Sequence, residues 1–391
     1  MTRTILPEPP DELKRHSDRL AALIRSEIHA TGPMPFSRYM EMALYEPGLG
    51  YYSAGLHNLG ETGDFITSPE IGPLFAACLA RQAAQTAEEL GEYEVLEIGA
   101  GTGRLAVDFL GHVDPRREPR RYRILERSAD LRQVQRDRIE SEAPGWRDRV
   151  EWLDGPPGAS WQGLLIANEV IDALAAERFQ IETDGGVSQV CVALDGNTLE
   201  WTSRKAPPEL ENAVRHLEKS TGTTLPAGFR SELRPHLPEW LDSLTENMTR
   251  GLALFVDYGH ARSDFYHPDR REGTLMCHYR HRAHDDPFFW PGLQDLTAWV
   301  DFTALAEAAD HCGLDVEGYA GQAMFLLGSG LETVLQDLAA ASEDHGLALA
   351  AEARQLTLPG MMGERFKVMG LGRGLEIPPR GFELEDIRYR L

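Results

Sequence analysis

Lysine and cysteine are both scarce in this chain. Of 39 Lys+Arg only Lys14, Lys205, Lys219 and Lys367 are lysine, and the 62 Asp+Glu bring the formal charge to −23. An acidic excess of this size repels a phosphate backbone and argues against a nucleic-acid partner. It is compatible with cationic partners or substrates. The lopsided use of arginine reads as codon composition. The four cysteines, Cys78, Cys191, Cys277 and Cys312, contain no CxxC pair. They are too sparse for a disulfide framework, which favours a reducing compartment. No apolar run approaches the length that crosses a bilayer, so no membrane partner is expected. The opening MTRTILPEPPDELKRHSD lacks an apolar signal core and carries acids early, unlike a transit peptide. A cytoplasmic location is the expectation.

What is present is an ordinary globular composition, 42% hydrophobic and 26% charged over 391 residues. That length suits one large domain with insertions, or two. Residues 11–31 and 36–45 have helical periodicity. Residues 46–69 (EPGLGYYSAGLHNLGETGDFITSP) are Gly- and aromatic-rich with no period, and a loop of that length inside a domain tends to be functional. Thr67 and Glu70 have capping-box spacing, with Pro69 in the first turn, and predict a helix over 70–90. From Glu94 short apolar runs alternate with helices. Strands are expected at 94–98, 122–126, 149–153, 164–168, 252–257, 314–319 and 365–371, and helices at 103–111, 129–143 and 236–250. Such alternation indicates a parallel sheet covered on both faces, a doubly wound α/β fold. Asp184-Gly185-Gly186 and Asp195-Gly196-Asn197 mark the turns of a β-meander inserted before the fifth strand.

The run Val95-Leu-Glu97-Ile-Gly99-Ala100-Gly101-Thr-Gly103-Arg104 is a strand, a glycine turn and a helix start. Glycine lets the backbone turn sharply and approach a ligand, and the helix behind it offers unpaired N–H groups. The spacing is GxGxG and not the dinucleotide GxGxxG, since position 104 is Arg. Glu97 on the strand would repel a pyrophosphate and attract an ammonium group. The next strand ends in Glu126, where a carboxylate can accept from both ribose hydroxyls. A ribose joined to a cationic amino-acid part without pyrophosphate describes S-adenosylmethionine. The plain alternative is a structural turn flanked by solvated strand-end acids.

With these residues in place the chain resembles the MidA-like S-adenosylmethionine-dependent methyltransferases, over about residues 15–375. The family includes the mitochondrial complex I assembly factor that methylates an arginine. The resemblance also rests on Tyr45-Glu-Pro-Gly-Leu-Gly-Tyr51-Tyr52, Gly63-Asp64-Phe65-Ile-Thr67-Ser68-Pro69-Glu70, Ala167-Asn168-Glu169-Val-Ile-Asp172-Ala-Leu174, Asp257-Tyr258-Gly259 and Gln294-Asp-Leu-Thr-Ala-Trp-Val-Asp-Phe302. The glycine loop is common to most methyltransferases, while the GDFITSPE and VDF segments are family-specific. Ala175-Ala176 departs from the family, which usually has a proline after DAL. The expected fold is α/β, a class I methyltransferase (Rossmann-like) seven-stranded mostly parallel sheet. An N-terminal helical segment and a β-rich insertion after strand four are added to it. The expected division is 1–92 for the helical segment and lid, 93–375 for the methyltransferase domain, and 376–391 for a tail. Within the domain 176–235 is the insertion and 258–300 a substrate-side loop.

Each further constellation has two readings. Asp64 and Ser68 reach the cofactor while Phe65 excludes water, or the segment is a capping loop. Leu153 and Asp154 meet the adenine edge, or Asp154 is a turn residue before Gly155-Pro156-Pro157. Asn168, Glu169 and Asp172 follow the fourth strand, where the crevice of a doubly wound sheet opens. Glu169 could grip a planar guanidinium and Asp172, one helical turn further, its other edge or a proton. The alternative is a helix N-terminus that favours acids. Cys277, His278, His281, His284 and Asp285 match no zinc spacing, and Arg280 and Arg282 would repel a cation, so no metal is expected. His281, with Tyr258, is instead a candidate substrate contact, against a plain polar loop. Arg116-Arg117-Glu118-Pro119-Arg120-Arg121 reads as a solvated loop.

The resemblance implies methylation of an arginine in a protein, with a complex I subunit as the target class. A homo-oligomer is compatible with it. Two rivals stay open: a methyltransferase for a small molecule or another side chain, and a non-catalytic assembly factor that keeps cofactor binding. If the glycine loop holds the cofactor, Gly101→Val abolishes S-adenosylmethionine binding in calorimetry, and a wild type that gives no binding heat overturns the assignment.

Overall fold

A computed structural model describes residues 6–55, 67–341 and 346–391. The chain divides into two compact units. The first comprises Met1–Phe65, Asp172–His236 and His260–Asp301, and the second Ile66–Ile171, Leu237–Gly259 and Phe302–Leu391.

The second unit is built on a sheet whose strands lie in the order 315–321, 366–373, 248–260, 161–168, 94–98, 122–125, 150–153. The pairings from 248–260 through 150–153 are parallel, and Phe366–Arg373 runs antiparallel to both of its neighbours. This is the mixed, mostly parallel sheet that the alternating pattern predicts. Its residues sort by the two-residue period of a strand. Leu164, Ile166, Leu252, Leu254 and Val256 pack into one core with Phe75 and Leu79 of helix Leu74–Leu90. Phe255, on the opposite face, meets Trp240 of helix Leu237–Thr245 with ring centroids 6.1 Å apart. Burial on both faces is why these strands read as near-continuous apolar runs.

The first unit holds helices Asp11–Thr31 and Phe36–Tyr45 and two antiparallel sheets. One pairs Met34–Pro35, Val187–Asp195, Glu177–Ile181 and Arg230–Leu233, with Thr198–Lys205 on Val187–Asp195. The other has three strands, 282–284, 276–279 and 295–297. Leu20, Ile24, Phe36 and Tyr39 pack with Val192, Cys277 and Leu296.

Several expectations need correction. The division at 92 and 375 does not hold. Residues 67–92 belong with the sheet, and so does the expected tail, where Phe382 is buried against Phe325 at 5.2 Å. The segments 176–235 and 258–300 both fall in the first unit, with the N-terminal helices. The stretch 258–300 is not irregular throughout, since it carries the three-stranded sheet and helix Arg262–Phe265. The helix expected over 236–250 ends at Thr245, because the apolar run joins strand Met248–His260. The helix expected over 70–90 is split into Ser68–Ile71 and Leu74–Leu90 at Gly72-Pro73. The capping box at its start does not form: Thr67 makes no side-chain cap, and Glu70 accepts the Thr102 hydroxyl instead.

Pro73 gives helix Leu74–Leu90 no side-chain cap, and Glu352 takes that role from another helix, accepting the Leu74 N–H at 2.7 Å. Burial pushes this carboxyl up to about 7, although the same hydrogen bond opposes the rise. A carboxyl raised on folding contributes stability below its unfolded value, which is lost as pH rises through the folded one. Between pH 5 and pH 8 the wild type therefore loses melting temperature relative to Glu352→Gln. Glu352→Ala costs about 1 kcal/mol or more as a lost cap. Thermal unfolding of the three proteins at both pH values checks this, and a pH-independent gap contradicts it.

Candidate active site

The carboxyl ends of the parallel strands converge residues that lie far apart in sequence. After strand Glu94–Ile98 the Gly99 N–H donates to the Leu125 carbonyl at 3.0 Å, and the Gly103 N–H closes the turn on Ala100 at 2.8 Å. Gly99, Gly101 and Gly103 all have positive φ, at 65°, 52° and 78°. Gly103 is also close-packed: a Cβ there would lie 3.2 Å from Gln135 Cγ. Helix Arg104–His112 starts behind this turn with no side-chain cap on its first N–H groups. Such an end favours negative or hydrogen-bond-accepting ligand atoms. Ala100 is buried within the loop.

Two buried acids flank the loop. Glu97 is 3% exposed and accepts the Tyr122 hydroxyl at 2.7 Å. Burial pushes it up to about 7, opposed by that hydrogen bond and reinforced by the nearby Glu126. Glu126, at the end of strand Tyr122–Leu125, accepts the Ser128 N–H at 2.9 Å and the Gln135 amide at 3.2 Å. Burial raises its pKa too, against the pull of these donors. Ser128 caps helix Ala129–Glu142 by accepting the Leu131 N–H.

Leu153 ends strand Val150–Leu153, and its carbonyl accepts from Arg132 at 2.8 Å. The Asp154 side chain is 95% exposed and paired with the same guanidinium at 2.6 Å, as a turn residue would be. Ser68 is buried and donates to the Gln322 amide oxygen at 3.1 Å. Asp64 and Phe65 lie outside the described residues.

Strand Trp161–Asn168 delivers the other half of the site. The Asn168 amide donates to Glu169 Oε1 at 3.2 Å, and its own Oδ1 is buried with no hydrogen-bond partner. Glu169 has a left-handed φ of 53°, uncommon for a residue that is not glycine. Its N–H donates to the Val256 carbonyl at 2.8 Å, and its Oε2 accepts the Tyr258 hydroxyl at 2.8 Å. Tyr258 packs edge-on against Phe366 at 4.6 Å. The turn is fixed from below by Asp257, which is 1% exposed and accepts the N–H groups of Ile171 (3.0 Å) and Tyr258 (2.9 Å). No helix begins here: residues 169–176 form bends and turns, so Asp172 is not one helical turn beyond Glu169.

Asp172 and His281 belong to the first unit. Asp172 is 2% exposed, and its carbonyl accepts from Ala298 N (3.0 Å) and Arg234 (2.9 Å). His281 is exposed at the tip of a two-residue hairpin, where Arg280 and His281 both have positive φ, the signature of a type I′ turn. Among the described residues no group of three His, Cys, Asp or Glu is arranged to hold a metal, and no helix is long and apolar enough to cross a membrane.

Sequence reasoning did not single out Asp257, Thr102 or Gln135 as site residues. Asp257 stood in a quoted motif, and Gln135 breaks the apolar stripe Leu131, Ile139 of its helix. Thr102 gave no signal beyond its place between two glycines.

A Rossmann-like sheet with a glycine turn, two buried strand-end acids and an uncapped helix start defines a nucleoside-dependent methyltransferase class. The comparisons bear this out. The profile of the MidA-like S-adenosyl-L-methionine-dependent methyltransferases matches residues 78–320, and the chain belongs to that family. A crystal structure of a Burkholderia thailandensis protein bound to S-adenosyl-homocysteine superposes with a TM-score of 0.92. It is 37% identical, over 99% of this chain and 100% of that one. The Drosophila melanogaster protein named Protein arginine methyltransferase NDUFAF7 homolog, mitochondrial, is 28% identical over 94% of this chain and 90% of its own length. The Homo sapiens protein named Protein arginine methyltransferase NDUFAF7, mitochondrial, is 28% identical over 88% and 81%. The enzyme is an S-adenosylmethionine-dependent methyltransferase. The cytoplasmic expectation is corrected by these mitochondrial names. Sparse cysteines speak of redox conditions and do not name a compartment.

The site fits its cofactor on the orphaned Asn168 Oδ1, the uncapped helix start and the buried acids. A cation drawn beside Glu97 favours the ionised carboxyl, which without it holds its proton up to about pH 7. S-adenosylmethionine affinity is therefore expected to strengthen from pH 6 to pH 8 with release of a proton, and Glu97→Gln to flatten the trend. Calorimetry in buffers of different ionisation enthalpy measures both, and a wild-type affinity that does not change with pH contradicts the role.

Proposed function

We propose that this methyltransferase modifies an arginine side chain of a protein, with a respiratory complex I subunit as the target class. The observation that carries the reading is the Glu169 carboxylate. It sits at the end of the fourth strand on a left-handed residue, with one oxygen held by Tyr258 and the other by Asn168. A carboxylate with both oxygens oriented matches the planar fork of a guanidinium. The names of the curated relatives, protein arginine methyltransferases, support the same substrate.

When bound, S-adenosylmethionine supplies an electrophilic methyl group on a sulfonium. The residues of this chain bind and orient. Glu97, Gly99, Ala100, Gly101, Gly103, Glu126, Leu153 and Asn168 would hold the cofactor, while Asp154 and Ser68, expected to join them, are engaged by Arg132 and Gln322. Glu169 would grip the acceptor guanidinium and orient it for methylation. Asp172 would hold the guanidinium's other edge or accept the proton that the acceptor nitrogen gives up when it is methylated and S-adenosyl-homocysteine is left. Tyr258 fixes Glu169, and His281 meets the acceptor polypeptide. Positioning and charge stabilisation supply most of the acceleration. Target choice lies in 176–235 and 258–300, and the acidic surface suits a basic peptide.

Glu169→Gln keeps the shape and removes the charge. It is expected to retain S-adenosyl-homocysteine affinity and lose about a hundredfold in turnover, the scale of a lost charge-stabilising group. The target is found by transferring labelled methyl groups into extract of a deletion strain, followed by mass spectrometry of the modified residue. A methyl on another side chain or on a small molecule overturns the arginine reading, and equal turnover of the variant removes Glu169 from the mechanism.

A further inference from the structure

Helix Ala129–Glu142 buries three residues, Leu131, Gln135 and Ile139, at the i, i+4, i+8 spacing of a single stripe. The middle of that stripe is an amide at 0% exposure. A leucine there would bury more apolar surface and need no partners, so folding alone does not call for glutamine. The side chain instead has bonds on both of its polar atoms. Its Nε2 donates to the Gly101 carbonyl at 2.8 Å and to Glu126 Oε2 at 3.2 Å, and its Oε1 accepts the Trp152 indole N–H at 2.8 Å. These partners come from the ends of three different strands, 94–98, 122–125 and 150–153.

We propose that Gln135 is a positioning residue for the cofactor, one amide that sets the glycine loop, the Glu126 carboxylate and the Trp152 ring in a common register. The proposal rests on the cofactor reading above. Each bond has a distinct consequence. Drawing the Gly101 carbonyl toward the helix fixes the Gly101–Thr102 peptide plane, so the Thr102 N–H points the opposite way. Donation to Glu126 Oε2, with the Ser128 N–H on Oε1, stops the carboxylate rotating while leaving it acceptor capacity for a ribose diol. The indole bond sets the ring, which Arg136 covers at 4.9 Å, beside the strand end that carries Leu153. Gly103 completes the arrangement by leaving room for the Gln135 stem.

The test is S-adenosyl-homocysteine binding to the full chain by calorimetry from pH 6 to pH 8.5, with melting temperatures alongside. Gln135→Leu keeps most of the volume and removes every bond. It is expected to weaken binding about tenfold or more, the scale of buried groups left unpaired. Gln135→Glu is the second variant and decides the matter if the leucine variant does not fold. Its carboxyl still accepts from Trp152 but, once ionised, faces Glu126 and the Gly101 carbonyl where the amide offered N–H. Its affinity relative to wild type is expected to fall as pH rises and to recover towards pH 6, where protonation restores a donor. That ratio runs opposite to the trend Glu97 imposes on the wild type. A structural role alone gives a deficit that is the same at every pH and follows the melting temperature. That result overturns the proposal, as does wild-type affinity in both variants. A wild type that binds no S-adenosyl-homocysteine removes the cofactor reading itself, and the role of Gln135 with it.

Discussion

A parallel sheet buried on both faces has only its strand ends free to do chemistry, and everything at this site follows from that constraint. In the runs 94–98 and 161–168 the polar side chains at the strand starts, Glu94 and Gln162, are bound to Arg123 and to the Leu90 and Glu92 carbonyls, and Glu97 further along is held by Tyr122. Other polar groups gather at or near the strand ends: Glu126, Asp154, Asn168, Glu169 and, within the last part of its strand, Asp257. Because the strands are neighbours in the order 248–260, 161–168, 94–98, 122–125, 150–153, their ends form one continuous row. Five segments spread over more than a hundred residues of sequence thus meet at one edge.

Burial at that edge makes the acids expensive to ionise and makes their partners matter. Glu97 has one strong donor and stays high, at about 7. Glu126 is almost as buried but is surrounded by backbone N–H groups and the Gln135 amide, which oppose the rise. Two buried carboxyls, one just before the glycine turn and one at the end of the next strand, thereby differ in their donors. Glu169 is ordered in a third way, by backbone conformation. Its left-handed φ persists because Val256 and the Asp257 carboxylate hold the chain on both sides of it.

Much of this was legible in the residues. The strand periods gave the doubly wound sheet, and the spacing of Gly99, Gly101 and Gly103 with Glu97 and Glu126 gave the cofactor class. What was not legible depends on partners distant in sequence. The capping box at Thr67 and Glu70 is a sound local pattern, yet Glu70 is taken by Thr102. Asp154 has the right place for the adenine edge, yet Arg132 claims it. The expected helix after Asn168 gives way to bends and turns, in which the Ile171 N–H is held by Asp257 from a distant strand. The border at residue 92 failed because helix Leu74–Leu90 buries its apolar face on the sheet that follows it.

The sequence by itself determined the sheet, the glycine turn and the identity of the acids, since these depend on local period, backbone freedom and residue type. Tertiary structure alone decided which donors oppose the burial of each acid, which partners the buried amide of Gln135 meets and which polar residues are consumed by structural bonds. Those outcomes are set by desolvation and by hydrogen bonds between segments that only the folded chain brings within 3 Å or so.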